Sequence, residues 1–139
     1  MTRMRTDIRF AVPGDLAGVL ALWRESAAPT ATETAEALEI LFRRDPGALI
    51  VAEESGEIVG SVIAGWDGWR GSIYRLAVAP AHRRRSLGTR LLREAERRLA
   101  ALGSRRMHAI VVGSDELAVS FWVATDWEHQ HGQLRFAKG

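Results

Sequence analysis

The sequence predicts an α/β (α+β) fold, on three observations. Short apolar runs rich in strand-favouring residues alternate with stretches whose apolar positions recur at helical spacing. Turn-forming residues break the chain between most of them. The stretch Ile73–Leu102 joins a strand to a long amphipathic helix through a basic, small-residue loop. Read in order, the elements run β-α-α-β-β-β-α-β-α-β with room for one further strand. That is about six to seven strands and about four helices.

Ile8 to Val12 is the first short strand. Pro13-Gly14-Asp15 breaks it, and Asp15 suits a helix start, where its charge complements the dipole. Leu16, Val19, Leu20, Leu22 and Trp23 predict a helix to about Ala27, ended by Ala28-Pro29. A second helix is predicted over Thr32 to Arg44, with Thr30 and Glu33 at capping-box spacing. Asp45-Pro46-Gly47 closes it. Ala48–Glu53 and Ile58–Ala64 are strands joined by a Ser55-Gly56 hairpin turn. Gly65 to Gly71 is a second turn, leading into the strand Ile73–Val78. Pro80 stops that strand, having no N–H for a ladder. The helix from Leu87 buries Leu87, Leu91, Leu92, Ala95, Leu99 and Leu102 and stops at Gly103. His108–Val112 is a strand, Asp115–Ala124 a helix, and Trp127–Phe136 a terminal hairpin around Gly132.

At 139 residues the chain reads as one domain, 1–139, long enough to bury a real core. With no cysteine, disulfides and thiolate metal sites are excluded, and a cytoplasmic location is the natural reading. The N-terminus has no apolar signal region, and no run is long enough to span a membrane. The net charge of +2 accommodates an anionic ligand without demanding nucleic acid. Arg90, Arg93, Arg97 and Arg98 alternate with Glu94 and Glu96, which describes a solvated helix face and no nucleic-acid stripe. A small nucleic-acid-binding protein using this helix is the minority reading.

A strand that feeds a helix through a basic loop makes an anion seat. The first helical N–H groups have no internal partner, and the dipole leaves that end partly positive. Arg83, Arg84 and Arg85 add charge, and Ser86 and Gly88 keep the loop slim. The spacing is neither a Walker loop nor G-x-G-x-x-G.

This stretch resembles the pyrophosphate loop of the GCN5-related N-acetyltransferases (GNAT family), V-x-P-x-x-R-G-x-G-x-G/A followed by two aliphatic residues. The pattern falls on Val78, Pro80, Arg83, Arg84, Ser86, Gly88, Leu91 and Leu92. Arg84 replaces a common glycine, and Ser86 replaces the first glycine of the core motif. Ser86 should therefore avoid a glycine-only dihedral. The resemblance extends over about Ile8 to Trp127 and comes nearest to small bacterial proteins of the YpeA type. Trp23, Ile50-Val51-Ala52-Glu53 and the Gly65–Gly71 turn echo that group.

The resemblance implies a mixed central sheet flanked by helices and direct transfer of an acetyl group from acetyl-CoA to an amine. It implies that Arg83, Arg84, Arg85, Ser86, Leu87, Gly88 and Thr89 hold the pyrophosphate. Leu76, Ala77 and Val78 would pair with the pantetheine arm. The Val78 backbone N–H would stabilise the oxyanion, a contribution of about 2.7–4 kcal/mol for such donors. The family pattern N-x-x-A-x-x-F-Y falls on Asp115, Ala118, Phe121 and Trp122, which would line the cofactor. Trp122 stands where the proton-donating tyrosine is expected, and an indole does not ionise. Tyr74 is the replacement donor the sequence offers, against the ordinary role of strand tyrosines in packing. Trp66, Asp67 and Trp69 are acceptor-site candidates, although Asp67-Gly68 is first a turn signal and paired tryptophans stabilise hairpins.

His82 reads as a loop residue beside the phosphates. His129 and His131 share a strand face but lack a third ligand, so no metal is expected. A non-catalytic acyl-CoA binder is the alternative that Trp122 motivates. The partner expected is an amine, small or peptidic, and the family's frequent dimerisation makes a homodimer an open expectation.

Overall fold

The computed structural model describes residues 5–26, 33–83 and 86–139, which fall into two units, 1–109 and 110–139. In the first unit five strands form one sheet in the order β1-β2-β3-β4-β5. They are β1 (Thr6–Phe10), β2 (Leu49–Glu54), β3 (Glu57–Trp66), β4 (Gly71–Val78) and β5 (Met107–Ala109). The first four pair antiparallel, β2–β3 and β3–β4 through short hairpins. β5 lies parallel to β4, reached through the crossover helix α3 (Leu87–Leu102). The helices α1 (Leu16–Ser26) and α2 (Ala35–Arg44) separate β1 from β2.

Hydrophobic patterning places the helices on opposite faces of the sheet. Along β3, a Cβ on Gly60 would lie 2.8 Å from Leu91 Cδ1 of α3, whereas Ser61 bonds Trp23 of α1. Adjacent strand residues point to opposite faces, so α3 covers one and α1 the other. The α1 side holds Val19, Leu22, Trp23, Leu38, Leu49 and Val51 in one buried cluster. The α3 side receives Leu87, Leu91, Leu92, Ala95 and Leu99. Each of these leucines stabilises the fold by roughly 1.5–3 kcal/mol on burial, the alanine by less. Gly60 and Gly71 give Leu91 and Leu99 room; a Cβ on Gly71 would sit 2.7 Å from Leu99 Cδ1.

The connections follow their turn chemistry. Ser55 (φ 53°) and Gly56 (φ 83°) both adopt positive φ, the type I′ geometry of a tight hairpin. Thr34 caps α2, its hydroxyl accepting from the Ala37 N–H at 3.1 Å; Thr30 and Thr32 lie outside the described residues. Gly103 ends α3 at φ 102°. Asp15 accepts from the Val12 N–H (2.7 Å) and takes both outer nitrogens of Arg9, at 2.7 and 3.1 Å. The Arg9 hydrogen bonds hold the Asp15 carboxyl below the usual carboxylate range against the opposing pull of burial.

Three expectations are corrected. The sheet has five strands among the described residues and not six to seven, because Trp127–Phe136 forms no hairpin. Leu134 and Phe136 stand exposed, and a two-stranded ribbon without an apolar cover is marginal in water. The strand expected over His108–Val112 is Met107–Ala109, its ladder ending just before β4 bulges. Arg98, read as solvated, is mostly buried; its guanidinium bonds Asp45 and the Ala64 carbonyl, tying α3 to β3.

In the second unit, α4 (Glu116–Val123) is capped by Asp115, whose carboxylate accepts from the Ala118 N–H at 3.1 Å. Among the described residues no helix is long and apolar enough to cross a membrane.

Candidate active site

β4 carries a bulge. Ser61 pairs with Ala77 and Ile63 with Tyr74, so Arg75 and Leu76 together oppose Val62. Arg75 takes φ 49°, a left-handed conformation costing a non-glycine residue roughly 1–2 kcal/mol. The bulge shifts the side-chain phase. Gly71 faces α3, yet Ala77 packs with the α1 cluster, although both numbers are odd.

The bulge also sets where the backbone groups point. The Ala79 N–H donates to the Val59 carbonyl of β3 at 2.8 Å. Successive amides alternate along a strand, so the Val78 N–H points away from β3, and by the same alternation so does that of Leu76. The Val78 carbonyl faces the same outer edge, where it accepts from Arg83 Nε at 3.3 Å. The ladder to β5 consists of Gly71–Met107, Ser72–His108 and Ile73–Ala109 and stops there. Past Ile73, β4 thus presents an edge of amides that β5 does not pair.

This edge runs through a short 3-10 turn, Pro80–His82, to the start of α3. The first helical bond is Arg90 N–H to the Ser86 carbonyl at 3.0 Å. That leaves the Leu87, Gly88 and Thr89 amides as the orphan donors of the first turn. Ser86 sits at φ 60°, ψ 13° and its side chain makes no cap bond. Ser86 thus takes a left-handed conformation that a non-glycine residue reaches at a cost, and not a glycine-only one. The left-handed turn swings the chain so that the helix opens without a side-chain cap, its positive end bare. Arg83 flanks it; Arg84 and Arg85 lie outside the described residues.

The other sequence candidates fall into distinct places. Tyr74 is half-exposed on β4, beside Gly65. Trp66 ends β3, and Trp69 is exposed with the Arg70 guanidinium 4.2 Å over its ring. Asp67 closes the turn between them: one carboxylate oxygen accepts from the Trp69 and Arg70 amides at 2.8 and 2.7 Å. Those two N–H groups, Arg70's foremost, hold its carboxyl below the usual range, a poor setting for a base. In the second unit Asp115 is engaged as the α4 cap, and Trp122 packs edge-on against Phe121 and Trp127, centroids 5.7 and 4.9 Å apart. His129 and His131 stack with centroids 3.8 Å apart, and no group of three metal-ligating side chains occurs among the described residues.

An open groove of about 430 Å³ lies between β1 and the outer side of α3, reaching Ser86 and Thr89. Its arginines are largely matched: Arg5 pairs with Asp7, Arg93 with Glu96 and Arg97 with Glu94. Exposed pairs of this kind add little stability and leave little net field for a polyanion.

Sequence reasoning missed Ser61 and His108, and it missed that Arg75 forms a bulge. Ser61 is fully buried between the Trp23 indole and the Arg75 carbonyl. His108 Nε2 meets Ser72 Oγ at 3.0 Å. A serine in the apolar run Ile58–Ala64 was the one available signal.

The match to known proteins agrees with this fold. The acetyltransferase (GNAT) family model matches residues 16–124. An acetyltransferase of Sodalis glossinidius is 34% identical over 73% of this chain and 71% of its own length. One from Pectobacterium atrosepticum is 32% identical over 88% of this chain and 87% of its own. The chain belongs to the GNAT acetyltransferase family, and its activity class is that of an N-acetyltransferase. Among solved structures, the aminoglycoside N-acetyltransferase AAC(6')-Iy in complex with CoA shares the fold, with a TM-score of 0.78 at 19% identity over 99% of this chain and 97% of that one. Ard1 from Thermoplasma volcanium does so with a TM-score of 0.77 at 20% identity over 85% of this chain and 79% of that one.

Proposed function

We propose that the chain transfers an acetyl group from acetyl-CoA directly to an amine. One observation carries this reading: the β4 edge that β5 leaves unpaired at Leu76–Val78 precedes the start of α3, whose N-cap Ser86 makes no side-chain cap bond. The donor has the matching chemistry, an amide-bearing arm joined to a diphosphate. Leu76, Ala77 and Val78 are assigned to the arm, which adds to the edge as a strand would. Leu87, Gly88 and Thr89 donate their amides to the diphosphate, with Ser86 and Arg83 beside it. The solved structures of AAC(6')-Iy with CoA and with a CoA bisubstrate analogue support a CoA thioester as donor in this fold.

In the transfer, the amine nitrogen attacks the thioester carbon, the C–S bond breaks, and a proton leaves the nitrogen as the sulfur takes one. The outward Val78 N–H is assigned to the developing oxyanion. Tyr74 is assigned to proton transfer, with water serving where it does not reach. Trp66 and Trp69 are assigned to the acceptor side, and Asp67 to the turn that holds them. A cytoplasmic location follows from a cytoplasmic cosubstrate and a chain without cysteine.

Release of free CoA thiol, followed across a panel of amines and peptide N-termini, tests the proposal. Turnover above the amine-free background supports it. No turnover on any amine, with acetyl-CoA still bound, favours the non-catalytic acyl-CoA binder.

A further inference from the structure

We propose that Ser61 and Trp23 are positioning residues that set the β4 bulge and so aim the Leu76–Val78 amides. The inference rests on the reading that this edge receives the arm of the acyl donor.

Ser61 is an anomaly in its strand. It is 0% exposed, with the equally buried Val62 beside it, and a β-branched apolar residue would suit the position. Its hydroxyl is fully engaged. It accepts the Trp23 indole N–H at 2.8 Å and donates to the Arg75 carbonyl at 3.0 Å. A hydroxyl has a single proton, and the incoming indole N–H fixes the rotor so that this proton goes to Arg75.

Arg75 is the bulge residue with φ 49°. Its left-handed backbone turns the carbonyl out of the regular ladder, where, buried and unpaired, it would destabilise the bulge. Ser61 supplies the missing donor. The same residue is held at its other end: the guanidinium lies 4.9 Å from the Trp23 ring and bonds Glu33 Oε2 at 2.5 Å. Burial pulls the Arg75 guanidinium down from its ordinary range while Glu33 opposes, as expected of a cation committed to one partner inside the fold.

The bulge matters because it inserts one residue between Tyr74 and Ala77. Without that residue, positions 76–78 fall one step out of phase, and the amides now facing the outer edge turn toward β3. The relay lies on the α1 face and touches no part of the α3 N-terminus, so its effect should be confined to the arm.

The test compares two ligands by calorimetry: acetyl-CoA, and adenosine 3′-phosphate 5′-diphosphate, which keeps the diphosphate and lacks the arm. Ser61→Ala should lose about five- to tenfold in acetyl-CoA affinity, the worth of one buried hydrogen bond, with fragment affinity within about twofold of wild type. Trp23→Phe keeps most of the packing, removes the N–H and should show the same split more weakly; it carries the test where Ser61→Ala does not fold. Equal weakening of both ligands, or of neither, overturns the relay. A wild-type protein that binds neither ligand overturns the acyl-donor reading itself.

Discussion

Replacing Ser86 by glycine is expected to stabilise the protein without weakening the donor site. Ser86 precedes α3 at φ 60° and ψ 13°, and its hydroxyl makes no cap bond that would offset the strain. A left-handed residue other than glycine costs roughly 1–2 kcal/mol. Glycine removes that strain but adds freedom to the unfolded chain, returning about 0.4–1 kcal/mol. The net gain is about 0.5–1 kcal/mol. For a chain of this size that is a rise in Tm of roughly 1–4 °C. Thermal melts followed by circular dichroism, at one protein concentration, read it directly. Calorimetry on the same variant should give an acetyl-CoA affinity within about twofold of wild type, since the seat is made of backbone amides. A fall in Tm would refute the strain argument. A large loss of affinity would show that the serine hydroxyl itself binds the diphosphate.

Three further outcomes are expected. Gly88→Glu puts a carboxylate beside the orphan amides; it should leave Tm unchanged or slightly raised and weaken acetyl-CoA binding about tenfold or more, and equal affinity by calorimetry would contradict the loop assignment. Asp15→Asn should cost about 2 kcal/mol of stability in urea unfolding, because Asp15 binds Arg9 twice and caps Val12. The Asp15 carboxyl titrates lower in the folded chain than in the unfolded one, so its contribution is full above the unfolded value of about 3.9 and is lost as pH falls through the folded value; wild type and variant should converge only below about pH 4, and convergence near neutrality would refute this. Trp122→Tyr restores the ionisable group of the family pattern and should leave turnover equal or raised; a large loss would assign Trp122 a positive role.

Much of the architecture was legible because the strongest signals were local. The five buried positions of α3 recur at helical spacing, and Ser55-Gly56, Gly103 and Pro80 mark their turns by backbone chemistry alone. The strand and helix on either side of the basic loop could be read for the same reason, being contiguous in sequence. What escaped depends on distant partners. The β4 bulge arises from pairing with β3, and nothing in Tyr74-Arg75-Leu76 marks one residue for a left-handed turn. Arg98 looks like its solvated neighbours in sequence, and only the approach of Asp45 and the Ala64 carbonyl draws it inward. The terminal hairpin failed in the opposite way: His129, His131, Leu134 and Phe136 suggested alternation, but a strand needs a neighbour to satisfy its amides.

The central claim is that the β4 edge and the start of α3 together seat a CoA thioester. The most direct measurement is the thermal shift of the wild-type protein with millimolar acetyl-CoA. At a ligand concentration about one hundred times Kd, binding adds about 2.7 kcal/mol, which for this chain is a rise of roughly 5–10 °C. A rise of that order, cut to about half or less in Gly88→Glu, is the predicted result. An unshifted melt at millimolar acetyl-CoA would contradict the account.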